Sequence, residues 1–127
     1  MYDHIGLTVN DVGASARFYQ SALAALGFAL ISQDDAGAGF GPNGQAAFWL
    51  YAGKRLPDSG VHIAFQAPDR AAVELFHADG LTAGGRDHGR PGLRADYSPK
   101  YYAAFLLDPD RQQHRGCLSA LIARARR

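Results

Sequence analysis

The sequence predicts an α+β domain: two βαβββ modules forming a curved mixed sheet around a cavity, with the helices on the outside. Three observations carry this expectation. HIGLTVNDVGASARFYQSALAALG from His4 and HIAFQAPDRAAVELFHADGLTAGG from His62 align without a gap at an offset of 58, with 8 identities in 24 positions. Each copy reads as an apolar strand followed by a capped helix. The chain of 127 residues is one domain's worth, so two copies of one unit must share a core. The expected layout is a single domain over 1–127, with module 1 at about 1–58, module 2 at about 59–118 and a C-terminal tail at 119–127.

In order along the chain, His4–Val9 is apolar and β-branched and predicts a buried strand. Asn10 or Asp11 then caps a helix whose apolar face is Val12, Phe18, Tyr19, Ala22, Leu23 and Leu26, and Gly27 ends it. Strand-like stretches follow at Phe28–Gln33 and around Phe40. Gly41-Pro42-Asn43-Gly44 is a turn that feeds a strand at Ala46–Tyr51. The second copy repeats the plan with a strand at His62–Ala67 and a helix capped by Asp69. That helix carries Val73, Phe76 and His77 on one side and is closed by Gly84-Gly85. Tyr101–Leu107 predicts a strand, and Asp108-Pro109-Asp110-Arg111 a turn. Between them, RDHGRPGLRADYSPK at 86–100 has two Gly, two Pro and five basic residues, and reads as a functional loop rather than a core strand. From Leu118 the apolar positions 118, 121, 122 and 125 fit one or two turns of amphipathic helix, or a frayed end.

Composition excludes several classes. A net charge of +1 with scattered charges predicts neither a nucleic-acid nor a membrane surface. No apolar run approaches the ~18 residues of a membrane span. Met1-Tyr2-Asp3 leads directly into the first strand, which predicts no signal peptide. A single cysteine, Cys117, allows no internal disulfide and fits a reducing compartment, so the cytoplasm is the expected location. No hydrolase motif surrounds the serines, and the glycines lack phosphate-loop spacing.

DHIGLTV opening the first module, HIAF opening the second, the FYQSALAALGF helix and the PGLRADY…YYAAFLLDPD stretch are together similar to the vicinal oxygen chelate superfamily. This is the glyoxalase, bleomycin-resistance and dioxygenase group, and the resemblance runs over nearly the whole chain to Asp110. It implies paired modules around a divalent metal (Zn, Ni, Fe or Mn), with ligands from the first and last strands of each module. His4 and His62 match the first-strand ligand positions. The carboxylate positions depart from the pattern. The chain has one glutamate, Glu74, on the second helix, and no acidic residue between Asp35 and Asp58 or after Asp110. Aligning the final turn with the family's DPDGNNIEAV places Arg115 at the metal-binding glutamate, and a guanidinium stays protonated and repels a cation. His88 or His114 would complete a site only if the fold brought them near.

The segment after Asp110 has a traceable origin. Family codons for Gly-Asn-Asn-Ile-Glu-Ala, GGC AAC AAC ATC GAG GC, read after one inserted C as CGG CAA CAA CAT CGA GGC. These encode Arg-Gln-Gln-His-Arg-Gly, the residues at 111–116. A one-base insertion after the Asp110 codon therefore accounts for an arginine-rich tail in place of a Glu-bearing last strand.

Trp49, Tyr51, Tyr97 and Tyr101 are candidates to stack on a planar ligand, and Arg94 to hold a carboxylate or phosphate. Packing is the more ordinary role for Trp49 and Tyr102. Two functions follow from the resemblance. One is a metal-assisted lyase, isomerase or dioxygenase acting on a small oxygenated molecule between the modules, with an incomplete metal site in this chain. The other is a metal-free binding protein, similar to the bleomycin-resistance members, that sequesters a small molecule. The resemblance also implies a homodimer.

Overall fold

The computed structural model describes residues 2–54, 61–112 and 119–125. The element order is β1 (Ile5–Val9), α1 (Val12–Ala24), β2 (Ala29–Asp34), β3 (Gly37–Gly41), β4 (Phe48–Ala52), β5 (Val61–Ala67), α2 (Arg70–Thr82), β6 (Arg86–Leu93), β7 (Tyr102–Leu107), a 3₁₀ turn (Pro109–Gln112) and β8 (Ser119–Ala125). The strands form two four-stranded sheets, β1-β4-β3-β2 and β5-β8-β7-β6. Each has one parallel pair at the edge where its module begins and antiparallel pairs elsewhere. This is the expected α+β pair of βαβββ modules, built as two sheets that do not close on each other.

Local chemistry accounts for both helix starts. Asp11 and Asp69 take extended backbone angles, and each side chain accepts from the backbone N–H three residues on, Ala14 N at 3.0 Å and Ala72 N at 2.8 Å. Gly27 follows α1 at φ +89°, a conformation a side chain would disfavour. Both helices bury the face the periodicity assigned, with Phe18, Tyr19, Leu23, Val73 and Phe76 at zero exposure.

Two segments differ from expectation. Residues 86–93 are not a loop but the edge strand β6, paired only with β7 and shifted in register around Gly89. An edge strand tolerates Pro91, which lacks an N–H, and needs few apolar residues because one side meets no partner. The tail is a strand rather than a helix: β8 runs between β5 and β7 and fills the centre of the second sheet. The ladder bonds of two neighbours outweigh a weak helical periodicity. Residues 113–118, with His114, Arg115 and Cys117, lie outside the described residues.

Each helix covers one face of its own sheet, and the two helix-bearing faces turn toward each other. The Phe65 ring of β5 meets Phe48 of β4 at 5.5 Å and Phe28 at 5.9 Å, both edge-on. α1 packs on α2, and one buried cluster takes residues from both modules. Two hydrogen bonds link the first module to the turn after β7: Tyr19 Oη donates to Asp108 at 2.7 Å, and the Asn10 backbone N–H donates to Asp110 at 2.9 Å. The other face of each sheet, free of helices, therefore points away from its counterpart.

Candidate functional site

Strand alternation assigns the side chains of these two open faces. In β1, Leu7 and Val9 are buried toward α1, which places Gly6 and Thr8 on the open face, with His4 preceding them at the same spacing. In β4, Phe48 and Leu50 point inward, and Trp49 and Tyr51 point to the open face. Trp49 stands in register with Gly6 on one neighbouring strand and Gly39 on the other. Those glycines make room for the rings. A Cβ at Gly39 would lie 2.7 Å from the Trp49 ring, and one at Gly6 would lie 2.6 Å from the Tyr51 ring. Trp49 and Tyr51 are within 13° of parallel with centroids 6.4 Å apart, so they tile the sheet as a flat aromatic floor.

The ladder continues to β2. Ser32 pairs with Gly39, and Asp34 with Gly37, so both reach the same face beside the rings. With Ala36 and Leu50 they enclose a cavity of about 200 Å³. That is smaller than the ~300–1,000 Å³ of ordinary ligand pockets, so the floor is half of a site. A larger groove of about 780 Å³ near the ends of α1 and α2, lined by Arg17, Gln20 and Asp79 among others, holds none of the candidate residues.

The second sheet carries different chemistry on its open face. His62, Ala64 and Gln66 occupy the β1-equivalent positions on β5. Ala103, Leu107 and Ile122 are buried but lie outside the main core, on this same face. Arg94 sits over the Phe105 ring, with its guanidinium carbon 5.2 Å from the centroid, and Arg124 over Tyr101 at 4.6 Å. Tyr97 packs against Tyr101 at 4.7 Å and is 61% exposed.

Of the residues singled out by sequence, the structure gathers Trp49 and Tyr51 on one open face, and Arg94, Tyr97 and Tyr101 on the other. His88 is exposed on β6. Glu74 is engaged on α2, accepting from Tyr102 Oη at 3.0 Å, so Tyr102 serves packing. Burial, and then this bond to Glu74, push the Tyr102 phenol above its ordinary value. His4 and His62 stand exposed on different sheets, and His4 Nδ1 is 2.9 Å from Asp3 Oδ2. Among the described residues no three His, Cys, Asp or Glu side chains converge as a metal site. Two histidines on faces turned apart do not fit one divalent metal within a single chain.

Sequence reasoning missed Gly6, Gly39, Ser32, Asp34 and Arg124. The repeat holds a small residue at Gly6 and Ala64, the one signal that could have exposed the floor. Arg124 carried none, because its segment read as a helix end.

Solved structures with the same fold span nearly the whole chain. A glyoxalase/bleomycin resistance protein from Albidiferax ferrireducens T118 is 24% identical over 100% of this chain and 99% of its own, with a TM-score of 0.76. A glyoxalase/bleomycin resistance protein/dioxygenase family enzyme from Burkholderia phytofirmans PsJN is 17% identical over 97% and 96%, with a TM-score of 0.69. A lactoylglutathione lyase from Agrobacterium tumefaciens is 13% identical over 99% and 93%, with a TM-score of 0.66. At these identities the likeness is one of fold. No curated protein matches the chain significantly. The sequence profile of the glyoxalase family matches residues 2–113, and the chain belongs to the Glyoxalase/Bleomycin resistance protein/Dioxygenase superfamily.

Proposed function

We propose that the protein binds a small oxygenated organic molecule without a metal, as a homodimer in which the open face of one sheet closes over the unlike open face of its partner. The observation that carries this reading is the aromatic floor of Trp49 and Tyr51. Two large rings held flat by glycines, with Tyr51 47% exposed, bury little on folding and are shaped to meet a planar surface. Charge supports the pairing, since the first face presents Asp34 and the second Arg94 and Arg124. A shallow half-site on each sheet becomes a pocket when the two are apposed.

Trp49 is the chain's only tryptophan, so its fluorescence reads the floor without interference. Sedimentation velocity is expected to show a dimer, and planar oxygenated aromatics to quench Trp49 in the native protein but not in Trp49→Phe. A monomer, or quenching no different from that of free tryptophan, would overturn the reading.

A second reading, the metal-assisted lyase, isomerase or dioxygenase, is favoured by one observation. His4 and His62 occupy equivalent places on the two open faces, and apposing unlike faces across a dimer is the arrangement that brings such positions together. Calorimetric titration with zinc, nickel, iron(II) and manganese separates the two. Tight binding lost in both His4→Ala and His62→Ala would replace the metal-free reading with this one. Absence of binding would dismiss the metal-dependent reading for this chain.

A further inference from the structure

We propose that the open face of the second sheet recognises a planar organic carboxylate, with Arg94 and Arg124 holding the anion. The proposal rests on the small-molecule reading above and names the class of molecule for the same site.

The two cations are built into the face rather than extended from it. Arg124 stands opposite Ala103 in the β7–β8 ladder and stacks on Tyr101. Arg94 follows β6 and folds back along it, with Nη2 donating to the Arg90 carbonyl at 2.6 Å. Two glycines of β6 make room for that fold. A Cβ at Gly89 would lie 3.1 Å, and one at Gly92 3.2 Å, from the guanidinium nitrogens. Gly92 pairs with Ala103, so Ala103 sits between a strand covered by Arg94 and a strand bearing Arg124, and it is fully buried.

Neither guanidinium makes an ion pair with a carboxylate among the described residues. Like charges held on one face repel, and stacking on aromatic rings removes part of their hydration, so a bound anion relieves both costs. Stacking occupies the flat faces of the guanidinium groups and leaves in-plane N–H donors for a carboxylate, which their fork geometry matches. The planar body has its own partner in the Tyr97 ring. Phosphate would gain the charge and nothing from that ring. The segment is also pre-ordered: Arg94 N donates to Tyr101 O at 2.6 Å, Tyr97 N to Arg94 O at 3.0 Å, and Tyr101 N to Ser98 O at 3.2 Å. Little ordering is left to occur on binding.

Calorimetry on the full chain with three probes tests the assignment: benzoate, its neutral analogue benzamide, and inorganic phosphate. Benzoate is expected to bind at least about tenfold more tightly than either of the others, the scale of a hydrogen bond to a charged group. Arg94→Gln and Arg124→Gln should each weaken benzoate by about tenfold while leaving benzamide within about twofold. Arg124→Lys should restore only part of the loss, since it keeps the charge but not the fork. Melting curves show whether each variant folds, and either arginine alone suffices for the test. Benzamide or phosphate binding as tightly as benzoate, no benzoate binding, or undiminished benzoate binding in folded glutamine variants would each overturn the assignment. Benzamide equal to benzoate with Trp49 quenching intact would remove the anion and leave the small-molecule site standing. Arginine-dependent benzoate binding by a sedimenting monomer would keep the anion assignment and remove the cross-subunit pocket.

Discussion

The two sheets share a strand order and a ladder, yet matching rungs of their open faces carry opposite chemistry. Gly6, Trp49 and Gly39 in the first correspond to Ala64, Ile122 and Phe105 in the second, and Tyr51 corresponds to Arg124. One face is aromatic rings over glycine with a carboxylate beside them. The other is arginine over aromatic rings. The helix-bearing faces show no such split, because both are apolar and both feed one core. Packing constrains the inner faces to stay alike, whereas the open faces were free to diverge. A duplicated scaffold can therefore offer one ligand two different surfaces.

The largest effect should come from breaking what the modules share. Phe65→Ala removes the ring wedged against Phe28 and Phe48, and is expected to cost about 3 kcal/mol in urea unfolding, in a single transition. A loss below about 1 kcal/mol, or separate unfolding of the modules, would mean the inner faces are not a common interior.

The next effect concerns the floor. Gly39→Val places a branched side chain where Trp49 lies, so it should cost about 1–3 kcal/mol and shift Trp49 emission to the red as the ring leaves the sheet. Ala64→Gly, which copies Gly6 into the second sheet, should cost no more than about 1 kcal/mol and leave the emission unchanged. Equal behaviour of the two variants would erase the distinction between the faces.

The smallest effect is at the edge of the second sheet. His77 Nε2 lies 2.8 Å from Asp87 Oδ1, which ties β6 to α2. That hydrogen bond, and then the Gly89 backbone N–H, hold the Asp87 carboxyl below its usual 3.8. A carboxyl depressed in the folded state contributes stability above its unfolded value, and this is lost as pH falls through the folded one. Hydrogen exchange of the β6 amides should therefore accelerate as pH drops below about 4 relative to Asp87→Asn, with the β3 amides as an unaffected control. Parallel acid behaviour in the two proteins would show that the tether does not hold the strand.

Much of the fold was legible because the repeat fixes where each unit begins, and Asp11, Asp69 and Gly27 are strong local signals. The errors fell where local signals are weak and partners decide. β6 lacks apolar alternation because it is an edge, and β8 was misread because its pairing with β5 and β7 depends on residues some 60 and 20 positions away. The candidate site was legible as a set of residues and not as an arrangement. Trp49, Tyr51, Arg94, Tyr97 and Tyr101 do reach open faces. That the faces diverge, and separate His4 from His62, follows from Phe48 meeting Phe65 across the module boundary, which no spacing reveals. The origin of the tail is decided at the gene: codons 111–116 that no single-base deletion converts to a Glu-bearing strand would end the insertion account.

The two bonds from Tyr19 and Asn10 to the turn after β7 have a consequence for inheritance. Both acceptors, Asp108 and Asp110, precede residue 111, so the clasp between the modules is complete before the tail begins. Whatever sequence follows inherits a finished junction and has only to supply a strand-compatible stretch between β5 and β7. Such a chain is robust to replacement of its end. Fold and family membership can survive a change that rewrites the last strand, so the terminal segment is where a lineage built this way is freest to exchange one surface chemistry for another.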